Sequence, residues 1–337
     1  MASPALLRVT RPVLLALCLG LIAAACSGGA SPTPGATSGP TPGTGGSAAC
    51  PTSPAPGTDL QGWPSSTSES VIPNLITSPI VCGQNRVLFS FVDADLRPIA
   101  APDRSASLAI YDLGRDAQTA IATVQGEFIW AIEDAVGVYV ANVAFPSSGQ
   151  YGAEFVTAAA GGSSDTIRMT FDVQPDSPVD PLRVGDRAPA SETPTLADVD
   201  GDVSRLSTDD DPEPAFYETS VDEALADHEP FVLIFATPKF CQTQQCGPTL
   251  DRIKPFVTRY PTVTFINVEP YKLKVVDGVL EADLDANQGL QTVPTVDEWH
   301  LLYEPVVYVV DRQGTVQGAF DLIFSEAELT TALDEVK

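Results

Sequence analysis

Hydrophobic and polar positions divide this chain into four stretches. Val13 to Ala25 is an apolar run behind Arg8 and Arg11. From 27 to 68 the residues are mostly Ser, Gly, Thr, Pro and Ala, a composition that cannot bury a core. From 71 to 175, runs rich in β-branched and aromatic residues alternate with turn signals. Strands are predicted at 86–92, 107–113, 117–124, 137–145, 151–158 and 166–173. Ala-Pro-Asp at 101–103, Ser-Ser-Gly at 147–149 and Gly-Gly-Ser-Ser at 161–164 separate them. Tyr139, Ala141, Val143 and Phe145 share one face of the fourth run, and Ile167, Met169 and Phe171 share one face of the sixth.

The last stretch mixes the two periods. A hairpin is expected at 195–199 and 203–206, across Asp-Gly-Asp. Ser220 and Glu223 form a capping-box pattern that opens a helix. Phe231 to Ala236 reads as a buried strand. Leu250, Ile253, Phe256 and Val257 give helical spacing to 249–260. A strand at 262–268, a polar insertion at 269–301, a hairpin of 306–311 with 315–320 and a final helix from Ser325 follow. The expected class is therefore an all-β sandwich at 70–175, a linker at 176–182 and an α/β domain at 183–337, with parallel strands joined by helices.

Composition narrows the partners. The chain has 337 residues, 44 % of them hydrophobic, and a formal charge of −26. Such a charge excludes nucleic acid and anionic lipid bound through a basic face. Residues 1–25 resemble a bacterial lipoprotein signal, ending Ala-Ala-Ala before Cys26. That resemblance implies lipidation at Cys26, a disordered tether at 26–69 and an extracytoplasmic, membrane-anchored location. Of six cysteines, Cys18 then leaves with the signal and Cys26 carries lipid. Exported cysteines are usually paired. Three pairings of the remaining four are possible, and pairing within each region favours Cys50–Cys82 and Cys241–Cys246.

Candidate chemistry lies at Phe231 to Asp251, where Cys241 and Cys246 sit between a strand and a helix. Unpaired N–H groups and the positive end of a helix favour a thiolate there. Either thiol–disulfide exchange or a purely structural bridge fits this placement. Five residues apart on one helix, the two Cα atoms would be roughly 8 Å apart, beyond the roughly 7 Å a disulfide spans. Cys241 therefore belongs in the loop. Its exposure and the neighbouring charge of Lys239 mark it as the attacking thiol, with Cys246 resolving; the reverse assignment also stands, because Cys246 carries the Gly-Pro that follows.

Phe235, Ala236, Phe240–Cys241 and Cys246–Gly247–Pro248 resemble thioredoxins, and Arg183 to Pro189 resembles the opening of their redoxin branch. The run 137–156 resembles immunoglobulin-like envelope modules. These resemblances imply a thioredoxin-like α/β domain after an immunoglobulin-like sandwich. They also imply a partner protein bearing a dithiol or disulfide, a groove shaped by cis-Pro305 and no cofactor. Four residues separate the cysteines, as in some peroxiredoxins, but Pro305 occupies the place of the peroxidase Arg. Peroxidase therefore ranks below exchange. Copper delivery by the two cysteines with His300 is a further alternative, whereas His228 reads as a solvated loop residue and no resident metal is assigned.

Overall fold

The computed structural model describes residues 50–337 except 58, 59, 61, 65–67 and 69. Residues 1–25, expected to be a lipoprotein signal, and Cys26 lie outside the described residues. Eight strands come first: β1 (Val71–Leu75), β2 (Gly83–Asp93), β3 (Arg104–Asp112), β4 (Ala122–Gln125), β5 (Glu127–Ile132), β6 (Val136–Phe145), β7 (Gly149–Ala159) and β8 (Asp165–Val173). They pair antiparallel in two four-stranded sheets, ordered β1-β2-β6-β5 and β4-β3-β7-β8. Phe89 and Phe91 of β2, Tyr139 of β6 and Phe155 of β7 meet in a buried aromatic cluster between the sheets. Alternation of side chains along each strand puts these large rings on the inner faces.

Two strands, β1 and β5, were not expected from sequence. The run 117–124 keeps only its end as β4. Asp116 turns the chain before it, its carboxylate accepting from the N–H groups of Gln118 and Thr119. Before the sandwich, the Cys50–Cys82 disulfide joins positions with Cα atoms 6.0 Å apart. Ser53 Oγ then donates to buried Asp112 over 2.5 Å, and Trp63 Nε1 donates to Ala117 O.

The second half centres on β9 (Phe231–Phe235), β10 (Thr264–Val268), β13 (Val306–Val310) and β14 (Val316–Asp321), in the order β10-β9-β13-β14. Both faces of this sheet are covered, which explains the unbroken apolar runs of β9 and β13. On one face Val232, Ile234, Val307 and Val309 pack against Leu250, Ile253 and Phe256 of α2 (Cys246–Arg259) and Leu329 and Leu333 of α4 (Glu326–Val336). On the other, Phe231, Leu233, Phe235 and Tyr308 pack against Val221 and Ala224 of α1 (Val221–Ala226) and against Trp299. Ser220 and Ser325 cap α1 and α4 with complete capping boxes.

The expected fold class needs correction. Over the described residues the chain is β-rich, with fourteen strands in four sheets and four α-helices, two of them only five and six residues long. Only β9 and β10 pair in parallel; the other named strand pairs are antiparallel. The opening hairpin is absent. Residues Leu196–Val199 and Val203–Arg205 form 3-10 turns, because Asp198 and Asp202 bond back to the local backbone instead of leaving it to a ladder. The polar insertion is partly ordered as a hairpin, β11 (Leu273–Val276) with β12 (Val279–Ala282), followed by α3 (Pro294–Glu298). Apolar runs and caps specify single elements, and an α/β class does not follow from them alone.

The two halves meet through Arg86 of β2. Its guanidinium donates to both carboxylate oxygens of Glu328 in α4, at 2.7 and 3.0 Å, and to Ile323 O at 2.8 Å. All the described residues belong to one compact unit.

Candidate functional site

Beyond β9 the chain leaves the sheet at Ala236 and turns through a ten-residue loop into α2. Gln244, at φ 62, occupies the left-handed region where this loop reverses. Cys241 and Cys246 are joined as a disulfide with Cα atoms 6.0 Å apart. Cys241 lies in the loop and is partly exposed; Cys246 is the first residue of α2 and is fully buried. The N–H of Cys246 donates to Cys241 Sγ over 3.2 Å. This N–H is one of the four that a helix leaves without an internal acceptor.

A second loop closes over the pair. Glu304 and Pro305 precede β13, and their peptide bond is cis. Glu304 is 5 % exposed. Its Oε1 accepts from Gln242 N at 2.9 Å, its Oε2 accepts from Tyr271 Oη at 3.0 Å, and its carbonyl accepts from Thr243 Oγ1 at 3.0 Å. Gln242 Nε2 completes the ring by donating to Tyr271 Oη at 2.8 Å. Burial pushes the Tyr271 phenol up to about 12, with a hydrogen bond from Gln242 pulling back and the Glu304 charge adding to the rise. The two cysteine sulfurs and a Glu304 oxygen all lie within 4.8 Å of one another.

The structure thus brings together Cys241, Cys246 and the 304–305 loop that carries Pro305. The other expected neighbours are placed elsewhere. Lys239 Nζ donates to Leu280 O and pairs with Glu281 across 2.9 Å, so its charge is held by the β11–β12 hairpin. His300 Nδ1 lies 3.1 Å from Asp180 O, and the ligand-bearing group around the cysteines contains Glu304 instead. Sequence reasoning missed Glu304 and Tyr271. The available signal was the acidic residue directly before Pro305, since a carboxylate facing an apolar strand start has to find donors.

Beside this site, Glu269 follows β10. Its Oε1 accepts from Thr208 N at 2.6 Å and Thr208 Oγ1 at 2.7 Å. Burial pushes the Glu269 carboxyl up to about 7, only partly offset by hydrogen bonds from Thr237 and Thr208. Thr208 Oγ1 also accepts from Lys239 N at 3.2 Å, which ties this carboxylate to the start of the cysteine loop.

No family model matches the chain, and no curated protein does. Among solved structures it is similar to a DUF4426 family protein from Pseudomonas aeruginosa PAO1. The identity is 14 %, the match covers 32 % of this chain and 91 % of that one, and the TM-score is 0.23. The resemblance to thioredoxins and to immunoglobulin-like envelope modules is withdrawn on the fold itself: over the described residues the chain is β-rich, with fourteen strands in four sheets and four α-helices. Cys-Gly-Pro and an apolar strand fix a local junction, and the same junction can arise without kinship.

Proposed function

We propose that the Cys241–Cys246 pair carries out thiol–disulfide exchange with a partner protein. One observation carries the reading: the helix-terminal N–H of Cys246 is directed at the sulfur of the more exposed cysteine. A thiolate on Cys241 gains that hydrogen bond and the positive end of α2, and both make it a better attacking and leaving group. In the reduced protein, the Cys241 thiolate attacks one sulfur of a partner disulfide. The Cys241–partner bond forms and the partner's other sulfur leaves as a thiolate. Cys246 then loses its proton and attacks Cys241 Sγ, which closes the internal disulfide and releases the second partner thiol. Two electrons pass to the partner; the reverse sequence oxidises a partner dithiol.

Access fits this order. A Cβ added at Gly247, next to Cys246, would meet nothing within 4 Å, so the face beside the pair is open. The two disulfides among the described residues suit an oxidising compartment, in line with an extracytoplasmic protein anchored through Cys26. The test is trapping. Cys246→Ser should hold a partner in a mixed disulfide through Cys241, and Cys241→Ser should hold none. Absence of any trapped partner with either variant would leave the pair as a structural bridge.

A further inference from the structure

We propose that, once reduced, Cys241, Cys246 and Glu304 form a binding site for one Zn²⁺ ion. The three side chains already converge, with one ligand atom from each lying within 4.8 Å of the others. Two thiolates and a carboxylate are an accepted zinc donor set, and three protein ligands leave a fourth position open. Cys241 is partly exposed, which gives the ion a route in, while Cys246 and Glu304 are buried.

Charge argues in the same direction. Reduction places up to two thiolates beside a buried carboxylate. Like charges at such spacing are costly without a counter-ion. Lys239 is committed to Leu280 and Glu281 and does not supply one. A divalent cation offsets this repulsion directly. Binding releases the thiol protons as Zn–S bonds form, so no electrons move in the binding step. The oxidised pair cannot bind in this way, because its sulfurs share a bond and are not thiolates.

The surroundings resemble a built outer shell. Tyr271 Oη and Gln242 N each donate to one Glu304 oxygen, which fixes the carboxylate's orientation and leaves further lone pairs for an ion. The Cys246 N–H donates to Cys241 Sγ. Groups of this kind commonly orient metal ligands and tune their basicity. Zinc suits the mixed sulfur and oxygen donors better than Cu(I), which prefers sulfur alone, or Mg²⁺, which prefers oxygen.

The proposal shares its cysteines with the exchange reading but does not need exchange to occur. The test titrates Zn²⁺ into the full chain, oxidised or reduced with a non-chelating phosphine, against a chromophoric chelator. Co²⁺ serves as a spectroscopic stand-in for thiolate ligation. Reduced wild type should hold one zinc that the oxidised protein lacks, with thiolate-to-cobalt charge-transfer absorption. Reduced Cys246→Ser should lose it, which controls for thiols released from Cys50–Cys82. Glu304→Gln should bind at least about tenfold more weakly, since losing even an outer-shell partner of a ligand costs about that much. Equal zinc in oxidised and reduced wild type would overturn the proposal without any variant. Wild-type affinity in Glu304→Gln would remove the carboxylate from the site and overturn it as well. No zinc on reduced wild type, with mixed-disulfide trapping by Cys246→Ser intact, would sink this proposal alone.

Discussion

The N–H of Cys246 points at the sulfur of Cys241 from 3.2 Å, so the buried cysteine's backbone serves the exposed cysteine's side chain. This asymmetry orders the two thiols. After reduction, limited alkylation at mildly acidic pH should label Cys241 first, and Cys246 should react only slowly from behind its fully buried position. Removing the opposing charge with Glu304→Gln should speed labelling of Cys241. Peptide mass analysis after short exposures reads the order, and earlier labelling of Cys246 would reverse the assigned roles.

Glu269 gives a pH signature with a definite sign. Its carboxyl titrates near 4.5 when unfolded and is pushed to about 7 by burial. Between these values the folded chain holds a proton that the unfolded chain has lost. Its contribution to stability is therefore fully present below about 4.5, falls as pH rises, and is gone above about 7. Glu269→Gln removes this dependence. Relative to wild type, the variant should gain on the order of 3 kcal/mol between pH 4 and pH 8. Denaturant midpoints of both proteins at the two pH values measure it; parallel curves would show that Glu269 ionises freely in the folded state.

Arg86 and Glu328 hold the sandwich to α4 through a two-pronged pair, with side chains only 13 % and 18 % exposed. Burial alone would raise the Glu328 carboxyl, but the Arg86 guanidinium outweighs it and keeps it below the usual range. Arg86→Met strands that carboxylate and should cost about 3 kcal/mol. The loss should be full above the ordinary glutamate range and shrink as pH falls and Glu328 takes up a proton. Thermal unfolding of wild type and variant across that range decides it. A loss that does not change with pH would mean that packing, not charge, is what Arg86 supplies.

Some of this was legible in the sequence. Tyr139, Ala141, Val143 and Phe145 all face the sandwich core, because strict alternation leaves a strand one way to bury four apolar residues. The capping boxes at Ser220 and Ser325 are local and formed where their spacing put them. Two signals misled. Val203 and Leu206 were read as strand residues, although Asp198 and Asp202 were already competing for the backbone there. Cys-Gly-Pro was read as a family signature when it marks only the start of α2. Of the site, both cysteines and Pro305 could be picked from the chain. Glu304 was marked only as an acidic residue beside Pro305 and Tyr271 not at all, because their meeting depends on how the 269–305 segment returns over the cysteine loop, and no spacing in the sequence encodes that return.

The measurement that bears most directly on the exchange reading is the reduction potential of the Cys241–Cys246 pair. It can be read by alkylating the protein at equilibrium with graded dithiol buffers and counting blocked cysteines by peptide mass. A thiolate stabilised at the start of α2 makes reduction easier, so the pair should titrate above about −300 mV, in the range of exchanging disulfides. A value below about −300 mV, where structural bridges lie, would contradict the account and leave Cys241–Cys246 as a staple between loop and helix.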